Sequence, residues 1–320
     1  MEKATELYSG LQSFAAIDIG SNAVRLLIKQ VVDPGRHPKL NKALLVRVPL
    51  RLGFDVFSEG KISEKKEKNL VRLMKSYKQL MKIYGTDVYR ACATSAMRDA
   101  ANGQQIIKRV EKASGIKIEI IDGQEEARIV YENHIENMKG RKGNYMYVDV
   151  GGGSTEINLI SDGGLVCSRS YNIGTVRILN NAATENEWKR LKKDMKDLSV
   201  SYPGIELIGS GGNINKLVKM VKGRDKRYPK MTVASLKELY DTLKGLSVDE
   251  RIESFDLKPD RADVIVPAAE IFLTIADILG STTIYVPVIG LADGIIDDLY
   301  LKSCVRDSSD PCLQNRLCEG

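Results

Sequence analysis

Residues 145–160 read Tyr145-Met-Tyr-Val-Asp149-Val-Gly151-Gly152-Gly153-Ser154-Thr155-Glu156-Ile-Asn-Leu-Ile160. An apolar run, a small polar turn and a second apolar run predict two strands joined as a hairpin. Residues 14–28 repeat this plan as Phe14-Ala-Ala-Ile-Asp18-Ile-Gly20-Ser21-Asn22-Ala-Val-Arg25-Leu-Leu-Ile28. In both copies an aspartate precedes a glycine-containing turn, so the sequence predicts a duplicated unit.

A second matched pair follows the hairpins. Residues 88–98 and 205–213 each read as a strand, a loop of small residues and the start of a helix. The two loops contain Thr94-Ser95 and Gly211-Gly212-Asn213. We therefore expect two similar sheets that face each other, with the functional site in the cleft between them.

The length fits this duplication, since 320 residues exceed the size at which one hydrophobic core usually stops growing. We predict a first lobe at 1–124 and a second at 125–299, and the tail, 300–320, is a candidate to pack back on the first lobe. Apolar residues at helical spacing predict covering helices at 63–84, 184–198, 233–246 and 263–279, and a strand at 283–288.

Composition limits the function classes. The 43% hydrophobic and 28% charged residues are typical of a folded globular protein. The sequence has neither a run of about eighteen apolar residues nor a signal-peptide pattern, so we expect no membrane span and a cytoplasmic location. A formal net charge of +6 favours anionic partners. Basic clusters lack interleaved aromatic residues, so we do not expect a nucleic-acid duplex as partner.

The glycine-rich turn of the second hairpin suits a phosphate group. Glycines let successive backbone N–H groups point into one concavity, and Ser154 and Thr155 add hydroxyl donors. Asp149 and Glu156 flank the turn and would repel a phosphate unless a divalent cation lay between. Mg²⁺ fits because it prefers one or two carboxylates together with phosphate oxygens. A single hairpin of this kind would more simply be a tight turn, but two matched hairpins favour phosphate binding.

The first hairpin and the loop after it add further candidates. A helix N-terminus after Thr94 attracts anions. Arg98, one turn into that helix, can chelate phosphate oxygens or form a surface ion pair with Asp99 or a glutamate. The candidate phosphate-binding residues of both lobes are Asp18, Gly20, Ser21, Asn22, Arg25, Thr94, Ser95, Arg98, Gly151, Gly152, Gly153, Ser154, Thr155, Gly211, Gly212 and Asn213.

Two adjacent glutamates begin the helix that follows Asp122. With Asp122 as N-cap, Glu125 falls at the third helical position, where its side chain can reach back to the cap N–H in a capping box. Glu126 has no such role and lies at the junction of the two halves, where it can project into the cleft. Glu126 is therefore the candidate general base, and a surface glutamate stabilised by the helix dipole is an equally supported alternative.

Five motifs occur in a characteristic order: Asp18-Ile-Gly-Ser-Asn22, Ala93-Thr-Ser-Ala-Met-Arg98, Gly123-Gln-Glu-Glu-Ala127, Asp149-Val-Gly-Gly-Gly-Ser-Thr-Glu156 and Ser210-Gly-Gly-Asn213. Each motif is weak alone, but the ordered set over 14–299 makes chance agreement implausible. The set resembles the exopolyphosphatase and guanosine pentaphosphate phosphohydrolase (Ppx/GppA phosphatase) family in its short two-domain form. The resemblance implies an α/β fold of two ribonuclease-H-like lobes around a central cleft, as in the actin, sugar-kinase and Hsp70 superfamily.

The resemblance also implies a hydrolase that releases terminal phosphate with Mg²⁺ or another divalent cation. Glu126 matches the glutamate held to activate water, and Asp149 and Glu156 match residues that organise the metal, so these three are the candidate catalytic residues. The implied substrates are inorganic polyphosphate and guanosine penta- or tetraphosphate, and a homodimer is left open. Many relatives have Gly-Leu-Arg-Glu-Gly where this sequence has Gly290-Leu-Ala292-Asp-Gly294, so a phosphate contact from that arginine is missing or supplied elsewhere.

Two other interpretations use the same residues. An ATP-dependent small-molecule kinase or ATPase of this fold would also have two facing phosphate loops, although Glu126 beside the linker argues mildly against it. A non-catalytic sensor of guanosine tetra- or pentaphosphate is conceivable because Ala292 replaces the arginine. Adenine-dependent turnover would favour the first interpretation, and nucleotide binding without hydrolysis would favour the second.

Overall fold

In the computed structural model the described residues are 12–33, 39–138, 142–221, 229–287 and 290–306. Their strands are β1 (Ser13–Ile19), β2 (Val24–Asp33), β3 (Lys39–Val48), β4 (Val88–Ala93), β5 (Glu119–Ile120), β6 (Asn144–Val150), β7 (Thr155–Ser161), β8 (Gly164–Tyr171), β9 (Glu206–Ser210), β10 (Lys230–Thr232) and β11 (Thr283–Tyr285). Their helices are α1 (Leu52–Glu59), α2 (Glu64–Ile83), α3 (Ser95–Asp99), α4 (Gly103–Ser114), α5 (Gly123–Met138), α6 (Thr175–Leu179), α7 (Glu185–Ser201), α8 (Gly212–Met220), α9 (Val233–Lys244), α10 (Val248–Phe255), α11 (Pro259–Ala262), α12 (Ile265–Leu279) and α13 (Leu291–Arg306).

The two sheets repeat one strand order. The first runs β3-β2-β1-β4-β5, and the second runs β8-β7-β6-β9-β11 with β10 added at its edge. In each sheet the hairpin strands pair antiparallel, while β1 pairs parallel with β4 and β6 pairs parallel with β9. The predicted α/β fold of two ribonuclease-H-like lobes is therefore confirmed.

Helices cover both faces of the first sheet, so β1 is buried along its whole length. Side chains alternate between the faces of a strand. Ile17 packs in the cluster that includes Met74 and Tyr77 of α2, whereas Phe14 packs in a second cluster on the other face. Burial on both faces explains why β1 reads as an unbroken apolar run.

The helix α13 returns to the first sheet. Its Tyr300 packs edge-on against Phe14 of β1, with ring centroids 5.7 Å apart. Residues 291–299, which the sequence placed with the second lobe, thus pack on the first sheet, because Leu291 and Ile295 belong to an apolar helix face over β1. The boundary after residue 124 stays a prediction, and 307–320 lie outside the described residues.

The predicted covering helices correspond to α2, α7, α9 and α12. One detail differs, since the predicted strand at 283–288 ends at Tyr285, and residue 288 lies outside the described residues. The short helix α11, which precedes α12, was not predicted. Among the described helices, none has the length and apolar character that crossing a membrane requires.

Candidate active site

A cavity of about 310 Å³ lies between the two sheets, where the loops after β1, β4, β6 and β9 meet. These loops converge because each follows a strand at the same edge of its sheet. The cavity is lined by most of the predicted residues, namely Asp18, Gly20, Ser21, Asn22, Arg25, Thr94, Ser95, Glu126, Asp149, Gly151, Gly152, Ser154, Glu156, Gly211, Gly212 and Asn213.

Two residues of the glycine-rich turn lie outside this lining. Thr155 is fully buried, and its Oγ1 donates to the carbonyl oxygen of Ile173 at 2.6 Å. The carbonyl oxygen of Gly153 accepts a hydrogen bond from Nε of Arg177 at 2.7 Å. Of the two predicted hydroxyl donors of this turn, only Ser154 therefore lines the cavity.

Arg98 also lies outside the lining. Its Nη1 donates to the carbonyl oxygen of Ile121 at 2.7 Å, which ties α3 to the segment that leads into α5. The alternative ion pair with Asp99 does not form, because Asp99 pairs with Arg177 of the second lobe. A phosphate contact from Arg98 stays a prediction.

The glycines of the second hairpin allow the two lobes to touch. A Cβ atom at Gly152 would lie 2.9 Å from Cβ of Ser21, and one at Gly153 would lie 2.7 Å from Phe57. Neither glycine has a positive φ. Glycine is needed here for close approach of the first lobe rather than for a left-handed turn.

One row of side chains crosses the first sheet at the cleft. Asp18 on β1 lies opposite Arg25 on β2, which lies opposite Arg47 on β3. Nη1 of Arg25 donates to Oδ2 of Asp18 at 2.5 Å, and Nη1 of Arg47 lies 2.6 Å from Oδ2 of Asp260 in the second lobe. We call Asp18, Arg25 and Arg47 the first row, in which two guanidinium groups outnumber one carboxylate.

The equivalent row crosses the second sheet. Asp149 on β6 lies opposite Glu156 on β7. Ser210 on β9 lies opposite Asp149, and Ser170 on β8 lies opposite Glu156. Oγ of Ser170 donates to Oε1 of Glu156 at 3.0 Å. We call these four residues the second row, which sets two carboxylates directly beside each other.

Burial perturbs the carboxyl groups of the second row. It raises the pKa of Glu156 to about 7, to which the charge of Asp149 adds, although the Ser154 and Ser170 hydroxyls act in the opposite direction. Burial also raises the pKa of Asp149, against the effects of the Ser210 hydroxyl and the Arg25 charge. The two carboxyl groups therefore resist joint ionisation unless positive charge is added nearby.

Glu126 faces the same cavity from the first turn of α5. Its Oε2 is buried and has no hydrogen-bond partner in the described part of the chain. Burial, followed by the charges of Glu156 and Asp18, raises its pKa well above the usual value. Such a carboxylate has one oxygen available to a ligand or to water.

Glu125 points away from the cavity. Asp122 is the N-cap, as predicted, because its Oδ1 accepts from the N–H of Glu125 at 2.8 Å. The carboxylate of Glu125 does not close the capping box. It instead pairs with Arg128 at 2.8 Å and with Arg90 at 3.2 Å, because these stronger cationic partners lie within reach.

The carboxylates fit a divalent cation that takes further ligands from solvent or substrate. No three His, Cys, Asp or Glu side chains in the described ranges lie together as a complete metal cluster. Asp149 and Glu156 supply two adjacent carboxylates, and Glu126 supplies a nearby oxygen without a partner. This oxygen-only set suits Mg²⁺, which keeps waters and binds phosphate oxygens, better than zinc.

Sequence reasoning missed two arginines of the cavity lining, Arg47 and Arg261. Arg47 could have been found by extending the first hairpin to a third strand, which would place it opposite Arg25. Arg261 lies on the short helix α11, and its Nη1 donates to the carbonyl oxygen of Gly212. No local pattern marks it, because its place depends on how α11 meets the loop after β9.

Comparison with known proteins identifies relatives that differ in length. A bifunctional 3-dehydroquinate synthase/phosphatase of Fusobacterium nucleatum is 30% identical over 296 residues, which cover 85% of this chain but 44% of that protein. A putative exopolyphosphatase of Haemophilus influenzae is 24% identical over 93% of this chain and 94% of the relative. The chain thus spans less than half of the first relative and nearly all of the second.

A solved structure and a family match agree with the fold. The structure of the Aquifex aeolicus member of the Ppx/GppA protein family aligns with a TM-score of 0.72 and 29% identity, and covers 92% of this chain and 99% of that chain. Residues 44–303 match the Ppx/GppA phosphatase family. The predictions of the family and of a phosphatase are confirmed. Because the match spans well over half of its length, this chain belongs to the Ppx/GppA phosphatase family.

Proposed function

We propose that this protein hydrolyses the terminal phosphate from a linear phosphate chain, either inorganic polyphosphate or guanosine pentaphosphate, with a divalent cation such as Mg²⁺. The observation that carries the proposal is Glu126, a carboxylate with a buried oxygen that lacks a partner in the described residues and faces the cavity between the lobes. The second row beside it supplies a place for a cation, and the first row supplies guanidinium groups for phosphate.

In this proposal Glu126 is the general base. It accepts a proton from the water whose oxygen attacks the terminal phosphorus in line, while the bond from that phosphorus to the bridging oxygen breaks. The remaining chain leaves with the bridging oxygen as a phosphate oxyanion and needs little help from an acid. A group whose pKa is raised by burial and by like charges is a stronger base once it is ionised.

Asp149 and Glu156 would hold the cation. A bound divalent cation would neutralise charge on the phosphoryl oxygens and thereby help the attack. This role is supported by the second row, where two carboxylates share one buried edge of the sheet. The loops that line the cavity would position the phosphates, and positioning of this kind accounts for much of the acceleration in phosphoryl transfer.

The first test compares two neighbouring glutamates. Glu126→Gln should lower phosphate release from polyphosphate about 10²- to 10⁴-fold at saturating Mg²⁺, because a general base is lost. Glu125→Gln is the matched control and should stay near the wild-type rate, since Glu125 pairs with Arg128 and Arg90 away from the cavity. A folded Glu126→Gln protein with near-wild-type turnover would exclude Glu126 as the base.

The substrate is tested in the same assay. Long polyphosphate, tripolyphosphate, guanosine pentaphosphate and ATP should be compared with and without Mg²⁺. Release from the first three that depends on Mg²⁺ is expected. Turnover of ATP alone would favour the kinase or ATPase alternative, and binding of guanosine nucleotides without any release would favour the sensor.

A further inference from the structure

A buried asparagine connects the helix of Glu126 to the second sheet. Nδ2 of Asn158 on β7 donates to the carbonyl oxygen of Ala127 in α5 at 3.0 Å. Both residues are buried, with 1% of Asn158 and none of Ala127 exposed. Because Ala127 directly follows Glu126 in the sequence, this hydrogen bond holds the backbone of α5 one residue away from the candidate general base.

Asn158 also lies beside the second row. It follows Glu156 by two residues, and both side chains project from the same face of β7 because side chains alternate along a strand. Strand pairing sets Ser168 of β8 opposite Asn158, and Oγ of Ser168 donates to Oδ1 of Asn158. With its oxygen held by Ser168, the amide group is oriented so that its nitrogen faces α5.

Two other contacts of α5 with this sheet depend on packing. One turn before Ala127, a Cβ atom at Gly123 would lie 2.5 Å from Cβ of Ser170. One turn after Ala127, Tyr131 packs against the apolar cluster that contains Ile160. Packing brings the helix close to the sheet, but it does not fix where the helix lies along the strand, because apolar contact has no preferred direction. The amide hydrogen bond does have one.

The helix α13 bounds α5 on the opposite side. A Cβ atom at Gly294 would lie 2.5 Å from the carbonyl oxygen of Ile129, well inside the separation of about 3.5 Å at which heavy atoms make favourable contact. Residues two apart point to nearly opposite sides of a helix, so α5 turns Ile129 to α13 and Ala127 to the sheet. The backbone that carries Glu126 is thus enclosed between β7 and α13.

We propose that Asn158 is a positioning residue, whose hydrogen bond to α5 sets the place of Glu126 relative to Glu156. This inference rests on the proposed function, because it takes Glu126 as the base and Glu156 as a cation ligand. The base must reach a water that attacks a phosphate beside the cation, so the two carboxylates need a fixed separation. A displacement of about 1 Å at a reacting centre can lower a rate about 10²-fold.

The fold itself does not need an amide at position 158. The carbonyl oxygen of Ala127 lies within α5, where the helix supplies an N–H donor four residues further on. Ser168 is half-buried, so water can replace Asn158 as its partner. An apolar side chain of similar shape that leaves no buried group unpaired is nearly neutral for stability. Positioning and stability can therefore be separated by substitution.

Asn158→Leu makes this separation. The variant should unfold at nearly the wild-type urea concentration, while kcat for phosphate release from polyphosphate should fall about 10- to 100-fold, because α5 is no longer held in register with β7. KM and the Mg²⁺ concentration needed should stay close to the wild-type values. Ile160→Val is the matched control on the same face of β7, and it should lower stability without lowering kcat.

A second comparison shows whether Asn158 acts through Glu126. In the Glu126→Gln protein the base is already lost, so adding Asn158→Leu should cause no further loss of rate. A residue that acts through the fold or through the cation would lower the rate by the same factor with and without Glu126.

Three results would overturn the inference. One is a wild-type kcat in folded Asn158→Leu, and another is an equal fold-loss in the presence and absence of Glu126. The third is a rate that excess Mg²⁺ restores, which would assign Asn158 to the cation site. If Asn158→Leu does not fold, Ser168→Ala decides the matter. It leaves the amide without its orienting partner and should lower kcat about 2- to 10-fold, only when Glu126 is present; an unchanged kcat would count against the inference.

Failure of the proposed function would give a different pattern. Normal turnover in Glu126→Gln, or no phosphate release by the wild-type protein, would reject the base and its positioning together. A large loss in Glu126→Gln, combined with an effect of Asn158→Leu that persists in that variant, would keep the base and reject only the positioning role.

Discussion

The first and second rows occupy the same place in a duplicated fold and carry opposite charge. Asp18 lies opposite an arginine, Arg25, whereas Asp149 lies opposite a glutamate, Glu156. Both hairpins pair in the same register, so the residue opposite the aspartate largely decides the difference in charge between the rows. Duplication thus provides two similar walls, and the side chains at matching positions give one wall guanidinium groups and the other paired carboxylates, as the proposed phosphate and cation sites require.

The two rows also differ in how they tolerate burial. Asp18 is 3% exposed and is neutralised by the 2.5 Å contact with Arg25. Glu156 is 2% exposed beside another carboxylate, and its pKa rises to about 7. In the first row the charge of Asp18 is balanced by Arg25, while the second row holds two carboxylates whose mutual repulsion an added cation would relieve.

Within the two rows, the largest expected effect comes from removing the carboxylate of Glu156. Glu156→Gln should lower phosphate release about 10²- to 10³-fold, the range for loss of one electrostatic group at a reacting centre, and should raise the Mg²⁺ concentration needed. Rates measured over a Mg²⁺ series test this. Ser170→Ala, which removes only a hydrogen bond to Glu156, is the milder control. A normal rate with a normal Mg²⁺ requirement in Glu156→Gln would contradict the assignment.

The same variant should become more stable relative to the wild type as the pH rises. The carboxyl of Glu156 has a pKa of about 7 in the folded state against 4.5 ordinarily, so the folded state holds the proton more tightly. Wild-type stability should therefore fall as the pH rises from below 4.5 to above 7. Glu156→Gln lacks this titrating group and avoids the loss. The difference in unfolding free energy between variant and wild type should therefore be larger at pH 8 than at pH 4 by an amount on the order of 3 kcal/mol.

Urea unfolding without divalent cations measures this difference. Comparing the two pH values cancels any effect of the substitution on packing. A gap between variant and wild type that stays constant with pH would mean that Glu156 ionises normally in the folded protein.

The smallest effect concerns the sign of coupling within each row. Arg25→Gln leaves Asp18 buried without its partner, so adding Asp18→Asn should recover about 1–2 kcal/mol of unfolding free energy. A double-mutant cycle of Asp149→Asn and Glu156→Gln should give a coupling free energy of the opposite sign, because either substitution removes the repulsion on the remaining carboxylate. Denaturant unfolding of both cycles at pH 8 tests this. Equal signs would show that the rows are electrostatically alike.

The local patterns of the sequence were sufficient to predict the duplicated hairpins. Both hairpins alternate apolar runs with small polar turns, and their strands form where that pattern places them. The N-cap at Asp122 was likewise predictable, although the ion pairs of Glu125, rather than a capping box, distinguish it from Glu126. These features depend on residues that are close together in the chain.

The remaining features depend on distant contacts. The glycines at 152 and 153 are explained by Ser21 and Phe57 of the other lobe rather than by their own turn. Thr155 uses its hydroxyl on Ile173, which no motif indicates. Arg261 reaches the cavity only because α11 lies beside the loop that contains Gly212.

The return of α13 to the first sheet affects how the protein can fold during synthesis. Phe14 leaves the ribosome long before its partner Tyr300, because the rest of both sheets lies between them in the sequence. One apolar face of β1 therefore stays uncovered until α13 has been made. We expect the first lobe to be completed after the second, and the nascent chain to need protection from aggregation in the interval.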